Sequence, residues 1–260
     1  MTDDLLVETH GAIATLTLNR AGSHNAINIG MYQALPDLVA GLDKDPEVKV
    51  IVVRGAGERS FASGADITEF ERERGSATAA RNYNEKVAAA ERAIEGSSKP
   101  TIAMIHGYCI GGGAGLALAC DVRFADTGAR FAITPAKLGL VYSLESTKRV
   151  VDLAGPSRAK WILMSGQQIM ARRAYELGLF DELVEPEELE TFTYDFAEVI
   201  TTRAQFSVRM GKEMVDRVVN GQVVDDEESV EIRNSSFDTD DYAEGVRAFL
   251  AKRPPEFRWS

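Results

Sequence analysis

Two glycine-bearing loops offer chemistry that needs no side chain. One is Ser63-Gly64-Ala65-Asp66-Ile67 and the other is Ile110-Gly111-Gly112-Gly113-Ala114-Gly115. Each follows a predicted strand and opens a predicted helix. Small residues let a backbone approach a ligand closely, and the first N–H groups of a helix have no acceptor within it. Glycine weakens strands and helices alike, so its clustering needs a reason. A dinucleotide-phosphate turn fits poorly, because the spacing is not GxGxxG and the loop lies mid-chain. Tight packing with no ligand explains a single such loop as well as a binding role does. Two loops at two strand-to-helix junctions favour a third reading, an oxyanion site. Each loop would direct one N–H at the same developing negative oxygen.

The elements that must hold these loops alternate in the first half of the chain. Residues 12–18 read as a strand, and 28–44 have helical apolar spacing with Asn28 as N-cap. Residues 48–53 and 101–105 are nearly continuous apolar runs, typical of buried parallel strands. Residues 55–66 read as a loop, 79–94 as a helix, and an Ala/Leu-rich helix covers 114–119. Two short strands follow at 121–125 and 130–133. Beyond about Leu144 the pattern predicts helices alone, at 146–153, 158–164, 171–177, 186–202, 206–219, 225–234 and 242–251. The charged run Glu69–Arg74 reads as a solvated helix face. The order implies an α/β core with a helical C-terminal part.

Composition bounds the rest. The 260 residues are 45% hydrophobic and carry a net charge of −11. That argues against nucleic acid and an anionic membrane surface as partners, while leaving room for a locally held anion. No apolar run reaches the ~18 residues of a membrane span. The acidic start at Met1–Asp4 is unlike a signal or transit peptide. Cys109 and Cys120 lie in apolar surroundings without metal-ligand spacing, as expected for reduced thiols of a cytoplasmic protein.

Five stretches give the chain a resemblance. They are LNRAGSHNAIN (18–28), FASGADI (61–67), SKPTIAMIHGYCIGGGAGLALACDVRFAD (98–126), ARFAITPAKLGL (129–140) and EGVRAFLAKRPPEF (244–257). Together they resemble the crotonase (enoyl-CoA hydratase/isomerase) superfamily nearly end to end. The resemblance implies an α/β fold, a spiral of repeated ββα units with a helical C-terminal trimerisation region. A division near residue 195 would separate core (1–195) from helical region (196–260). The partners implied are an acyl-CoA thioester and further copies of the chain, as a trimer or a dimer of trimers. No cofactor is implied, because coenzyme A enters as part of the substrate. By position, the oxyanion donors are the N–H groups of Ala65 and Gly112. His24, Ala26, Ser63, Gly64, Asp66 and Ile67 would line the CoA, and Phe249 and Lys252 would reach the CoA of a neighbouring subunit.

The pattern breaks at two positions. Hydratases of this superfamily carry glutamates where this chain has Gly115 and Ala136. Neither residue moves a proton, and such help is worth ~10²–10⁴-fold. Decarboxylation of a malonyl-type thioester would survive that loss. Its enolate charge collects on the thioester oxygen and needs no base. The segment 134–143 (TPAKLGLVYS) is similar to the methylmalonyl-CoA decarboxylase branch, in which a tyrosine in the place of Tyr142 is thought to orient the substrate carboxylate. That branch commonly keeps an acid where Gly115 stands, so the match is incomplete. Tyr142 is read as the working side chain, against a ring merely packed in a turn. Glu145 is a substitute acid or base if it faces the pocket; a glutamate in a first helical turn more commonly complements the helix dipole. The expectation is therefore a lyase. The alternatives are a hydratase or isomerase using an acid such as Glu145, and a non-catalytic acyl-CoA binder. His106 reads as structural, Asp66 as a helix cap, and Lys148-Arg149 as a solvated pair.

Overall fold

The computed structural model of the chain describes residues 3–258. Two sheets organise it, and the chain passes between them repeatedly. The first hairpin joins β1 (Leu5–His10) to β2 (Ile13–Leu18). Helix α1 (Ile29–Lys44) follows, and Asn28 caps it by accepting from the Met31 N–H at 2.9 Å. The next segments are β3 (Val50–Gly55), β4 (Ser60–Ala62), the short α2 (Phe70–Arg74) and the long α3 (Ala77–Glu95). Then come β5 (Thr101–Ile105), β6 (Tyr108–Ile110) and α4 (Gly112–Ala119). A third pass gives β7 (Val122–Asp126), β8 (Arg130–Ala132) and α5 (Leu144–Ala154). Each pass places one strand in each sheet and then adds a helix, which is the expected spiral of ββα units.

The six-stranded sheet has the order β1-β2-β3-β5-β7-β10, where β10 is Glu182–Val184; β1 is its one antiparallel member. The four-stranded sheet runs β4-β6-β8-β9, with β9 (Ile169–Met170) antiparallel at its edge. Between β8 and β10 lie α6 (Pro156–Ser165) and α7 (Ala171–Glu176). The larger core fills the space between the sheets and beneath α1, α3 and α4. A second cluster on the other face sets Ile13, Val50, Ile102 and Phe124 against α8 (Leu189–Thr201). Cover on both faces explains the apolar runs Val50–Val53 in β3 and Ile102–Ile105 in β5, as parallel strands require.

Helix α8 packs on the large sheet through Leu189, Phe192 and Ala197, so it belongs with the core. The division expected at residue 195 falls inside this helix. Helices α9 (Gln205–Val219), α10 (Glu227–Ser235) and α11 (Asp240–Ala251) complete the helical region. Among the described residues no helix is long and apolar enough to cross a membrane. Cys109 and Cys120 are buried and unpaired, and burial pushes the Cys120 thiol up to about 12.

Candidate active site

Both glycine loops reach one cavity, and the reasons are local. Ala65 forms a bridge with Ile27: the Ile27 N–H donates to the Gly64 carbonyl at 2.8 Å and the Asp66 N–H to the Ile27 carbonyl at 2.9 Å. Those bonds leave the Ala65 N–H directed away from Ile27. Gly64 has φ +115, a conformation that glycine adopts without strain. In the second loop the Gly111 N–H donates to the Ala132 carbonyl at 2.8 Å, and Gly112 is the first residue of α4. Its N–H has no acceptor within the helix. A Cβ on Gly112 would lie 3.4 Å from the Ala65 nitrogen, so the two amides are neighbours. Among the described residues neither donates to another group. Both residues line the cavity.

The glycines of the second loop answer to different neighbours. A Cβ at Gly112 would collide with the hydroxyl of Tyr32, and one at Gly113 with Ala62. A Cβ at Gly115 would collide with Glu91 Oε1. The volume in which the resemblance places a glutamate at position 115 therefore already holds a carboxylate, carried by α3. Positions 115 and 136 lack acids, as the sequence states, but the cavity does not.

Glu91 is buried and tightly held on one side. Its Oε2 accepts from Ser146 Oγ at 2.7 Å and from Arg149 Nη1 at 2.5 Å. Arg149 also binds Glu95 through Nε at 2.9 Å and Nη2 at 2.7 Å. Burial works against the guanidinium charge, and its bonds to Glu95 and Glu91 outweigh that, so Arg149 stays protonated. Glu91 Oε1 accepts no hydrogen bond among the described residues, and Glu91 lines the cavity. Arg149 thus differs from the solvated residue expected; its neighbour Lys148 does face solvent, paired with Asp152.

Two phenols complete this end of the cavity. The Tyr142 hydroxyl is 3.5 Å from the position of a Gly115 Cβ and has no hydrogen-bond partner among the described residues. Burial raises its pKa, and the nearby Glu91 raises it further, so Tyr142 is a neutral donor at working pH. Tyr32 is raised well above its ordinary value by burial, then by Tyr83 and Glu91.

The other sequence-derived positions divide. Ser63, Gly64 and Ile67 line the cavity beside Ala65. His24, Ala26 and Asp66 do not. His24 Nδ1 pairs with Ser60 Oγ at 2.9 Å, while the Ala26 carbonyl accepts from Arg20 at 2.6 Å. Asp66 caps a short turn at the Thr68 N–H and pairs with Arg20 at 2.8 Å. Its bond from Thr68 is the main cause holding its carboxyl below the usual value. His106 is buried against Asp126 at 3.2 Å, a structural pair. Glu145 lies outside the cavity, half-exposed and bound to Arg92 at 3.0 Å. Phe249, 82% exposed, and Lys252 stand at the end of α11, also outside the cavity of their own chain.

The sequence held a signal for Glu91 that reading it as one more helix charge misses. Tyr83, Val87, Glu91 and Ile94 recur at helical spacing, so Glu91 sits on the apolar stripe of α3. The same test finds Arg149 between Ser146 and Val150.

A ββα spiral with two free amides at one cavity defines a protein of the crotonase fold. The chain belongs to the enoyl-CoA hydratase/isomerase family, whose model matches residues 8–259. It is 32% identical over 259 residues to a crotonyl-CoA hydratase of Syntrophomonas wolfei, covering 98% of each chain. It is also 32% identical to an (E)-benzylidenesuccinyl-CoA hydratase of Thauera aromatica, covering 97% of this chain and 98% of that one. A crystal structure of an enoyl-CoA hydratase/isomerase family protein from Hyphomonas neptunium superposes with a TM-score of 0.96 at 38% identity, over 99% of this chain and 98% of that one.

Proposed function

We propose that the chain is an enoyl-CoA hydratase/isomerase whose acid–base group is Glu91, supplied by α3 instead of α4. One observation carries the reading: Glu91 Oε1, free of hydrogen bonds, fills the volume beside Gly115 on the cavity shared by the Ala65 and Gly112 amides. A thioester oxygen received by those amides takes up negative charge as the α-carbon is deprotonated or the β-carbon attacked. In isomerisation Glu91 removes a proton from the α-carbon of a β,γ-unsaturated thioester and returns it to the γ-carbon. In hydration it takes a proton from water as the oxygen bonds to the β-carbon, then passes it to the α-carbon. Arg149 and Ser146 hold one carboxylate oxygen and so aim the other. The Tyr142 phenol donates a hydrogen bond at the same end.

Decarboxylation, favoured by the sequence alone, rested on a site without carboxylates. A substrate carboxylate beside Tyr142 would meet Glu91, and like charges at close range repel.

The test compares the wild type with Glu91→Gln on crotonyl-CoA hydration and on isomerisation of a β,γ-unsaturated thioester. The expected result is turnover by the wild type and a loss of ~10²–10⁴-fold in the variant. Glu145→Gln is expected to match the wild type. Release of CO₂ from methylmalonyl-CoA, with no hydration or isomerisation, would overturn the proposal. So would full activity in Glu91→Gln.

A further inference from the structure

The cavity continues beyond the reacting end. Ala80, Asn84, Val87, Ala88 and Glu91 line one face of α3, from near its start to the carboxylate. At the end remote from Glu91 stands Arg74, the last residue of α2. The sequence places it in a solvated run, yet its guanidinium lies against two rings, whose centroids are 6.3 Å apart and whose planes meet at 74°. Its Cζ lies 4.1 Å from the Phe70 centroid and 4.0 Å from that of Tyr83. Its Nε is buried with no hydrogen-bond partner, and no carboxylate among the described residues pairs with it. Of the acids nearby in sequence, Glu71 is exposed and the other two are engaged elsewhere. Glu69 accepts from the Ile29 N–H at 2.8 Å and pairs with Arg72, and Glu73 pairs with Arg72 at 2.8 Å.

Arg74 is half-buried; a half-buried cation without a counter-ion still gives up hydration, and neighbouring rings compensate only part of that cost. The rings cover part of the guanidinium, and its N–H groups have no carboxylate partner among the described residues. Those groups match a carboxylate, which can accept two parallel bonds. The place of the cation sets the spacing. The Tyr83 centroid is 6.0 Å from that of Tyr32, whose hydroxyl abuts Gly112. Two aromatic rings therefore separate the guanidinium from the oxyanion amides. An acyl group held at its thioester by Ala65 and Gly112 has its tail, not its α- or β-carbon, at Arg74.

We infer that the substrate is the CoA thioester of a dicarboxylic acid, its distal carboxylate paired with Arg74. This rests on the reading of the cavity as an acyl-CoA site but not on the chemistry assigned to Glu91. The experiment therefore measures binding first. Saturated adipyl-CoA and suberyl-CoA are titrated calorimetrically against hexanoyl-CoA and octanoyl-CoA, using wild type, Arg74→Met and Arg74→Lys. The wild type is expected to bind a dicarboxylyl ester at least about tenfold more tightly than its chain-matched neutral ester, the worth of one charge-assisted hydrogen bond. Arg74→Met is expected to erase that ratio while still binding the neutral ester, and Arg74→Lys to keep part of it. Chain-matched enoyl esters are then compared by kcat/KM. A binding preference without turnover would sustain this inference and remove the function proposed for Glu91. Equal binding of charged and neutral tails by the wild type would overturn the inference, as would a preference undiminished in Arg74→Met.

Discussion

At Gly115 and Glu91 an absent side chain and a present one share a single volume. A methyl group at position 115 must displace Glu91 Oε1, and the carboxylate cannot retreat freely because Ser146 and Arg149 hold its other oxygen. Gly115→Ala is therefore expected to lower kcat by at least about tenfold, with a circular dichroism spectrum like that of the wild type, since a slight misplacement of a reacting group can cost that much and more. Unchanged kcat would place the working group elsewhere. The complementary experiment moves the acid back. Glu91→Ala alone leaves Arg149 Nη1 and Ser146 Oγ without their acceptor while Glu95 still holds Arg149 through Nε and Nη2, and leaving buried donors unsatisfied costs ~1–3 kcal/mol. Adding Gly115→Asp returns a carboxylate to the same volume from α4. The double variant is expected to regain part of both the melting temperature and the activity lost by Glu91→Ala. A double variant no better than the single one would count against a shared volume.

Helix α4 must lie directly on β4 for the two amides to meet, and Gly113 makes that possible. A Cβ there would strike Ala62, the last residue of β4 and three before Ala65. Gly113→Ala is expected to overpack this contact at ~1–3 kcal/mol, read as a fall in denaturation midpoint. It should also separate the amides and depress kcat more than it raises KM; a change in KM alone would contradict this. Elements of this kind were unequally legible in the sequence. Strands β3 and β5 show as apolar runs because both faces of their sheet are covered. β4, β6, β9 and β10 have two or three residues each, too few for any period, and β6 lies inside the glycine-rich stretch. β1 escapes because only Leu5 in it is buried. The two amides were legible because backbone chemistry leaves glycines behind. Glu91, Arg149 and Arg74 were not, because a charged residue on a helix reads as solvated until the packing of a third element is known.

Across the whole molecule the spiral carries its site between successive turns, and residues 253–258 fold back on α11. Glu244 in α11 accepts from Arg253 Nη1 at 2.6 Å and from the Glu256 N–H at 3.0 Å. The bond from Arg253 is the main cause lowering its pKa from 4.5 to about 2. A depressed folded-state pKa means that this attachment is complete above the unfolded value and is lost as protons bind at lower pH. Protection of the Glu256 amide against hydrogen exchange is expected to fall between pH 4.5 and about 2, and to be weak at all pH values in Glu244→Gln. Protection independent of pH would contradict the assignment. The arrangement of α3 has a broader consequence. One helix carries Glu91, the proton acceptor of the proposal above, near one end, and residues that line the cavity along the rest. A guest too bulky for the cavity can be seated only by tilting that helix, and the tilt withdraws the acceptor from the guest's own reacting carbon. Size discrimination would then register as slow turnover of molecules that bind well, so selectivity and reactivity in this enzyme cannot be altered independently by mutating α3.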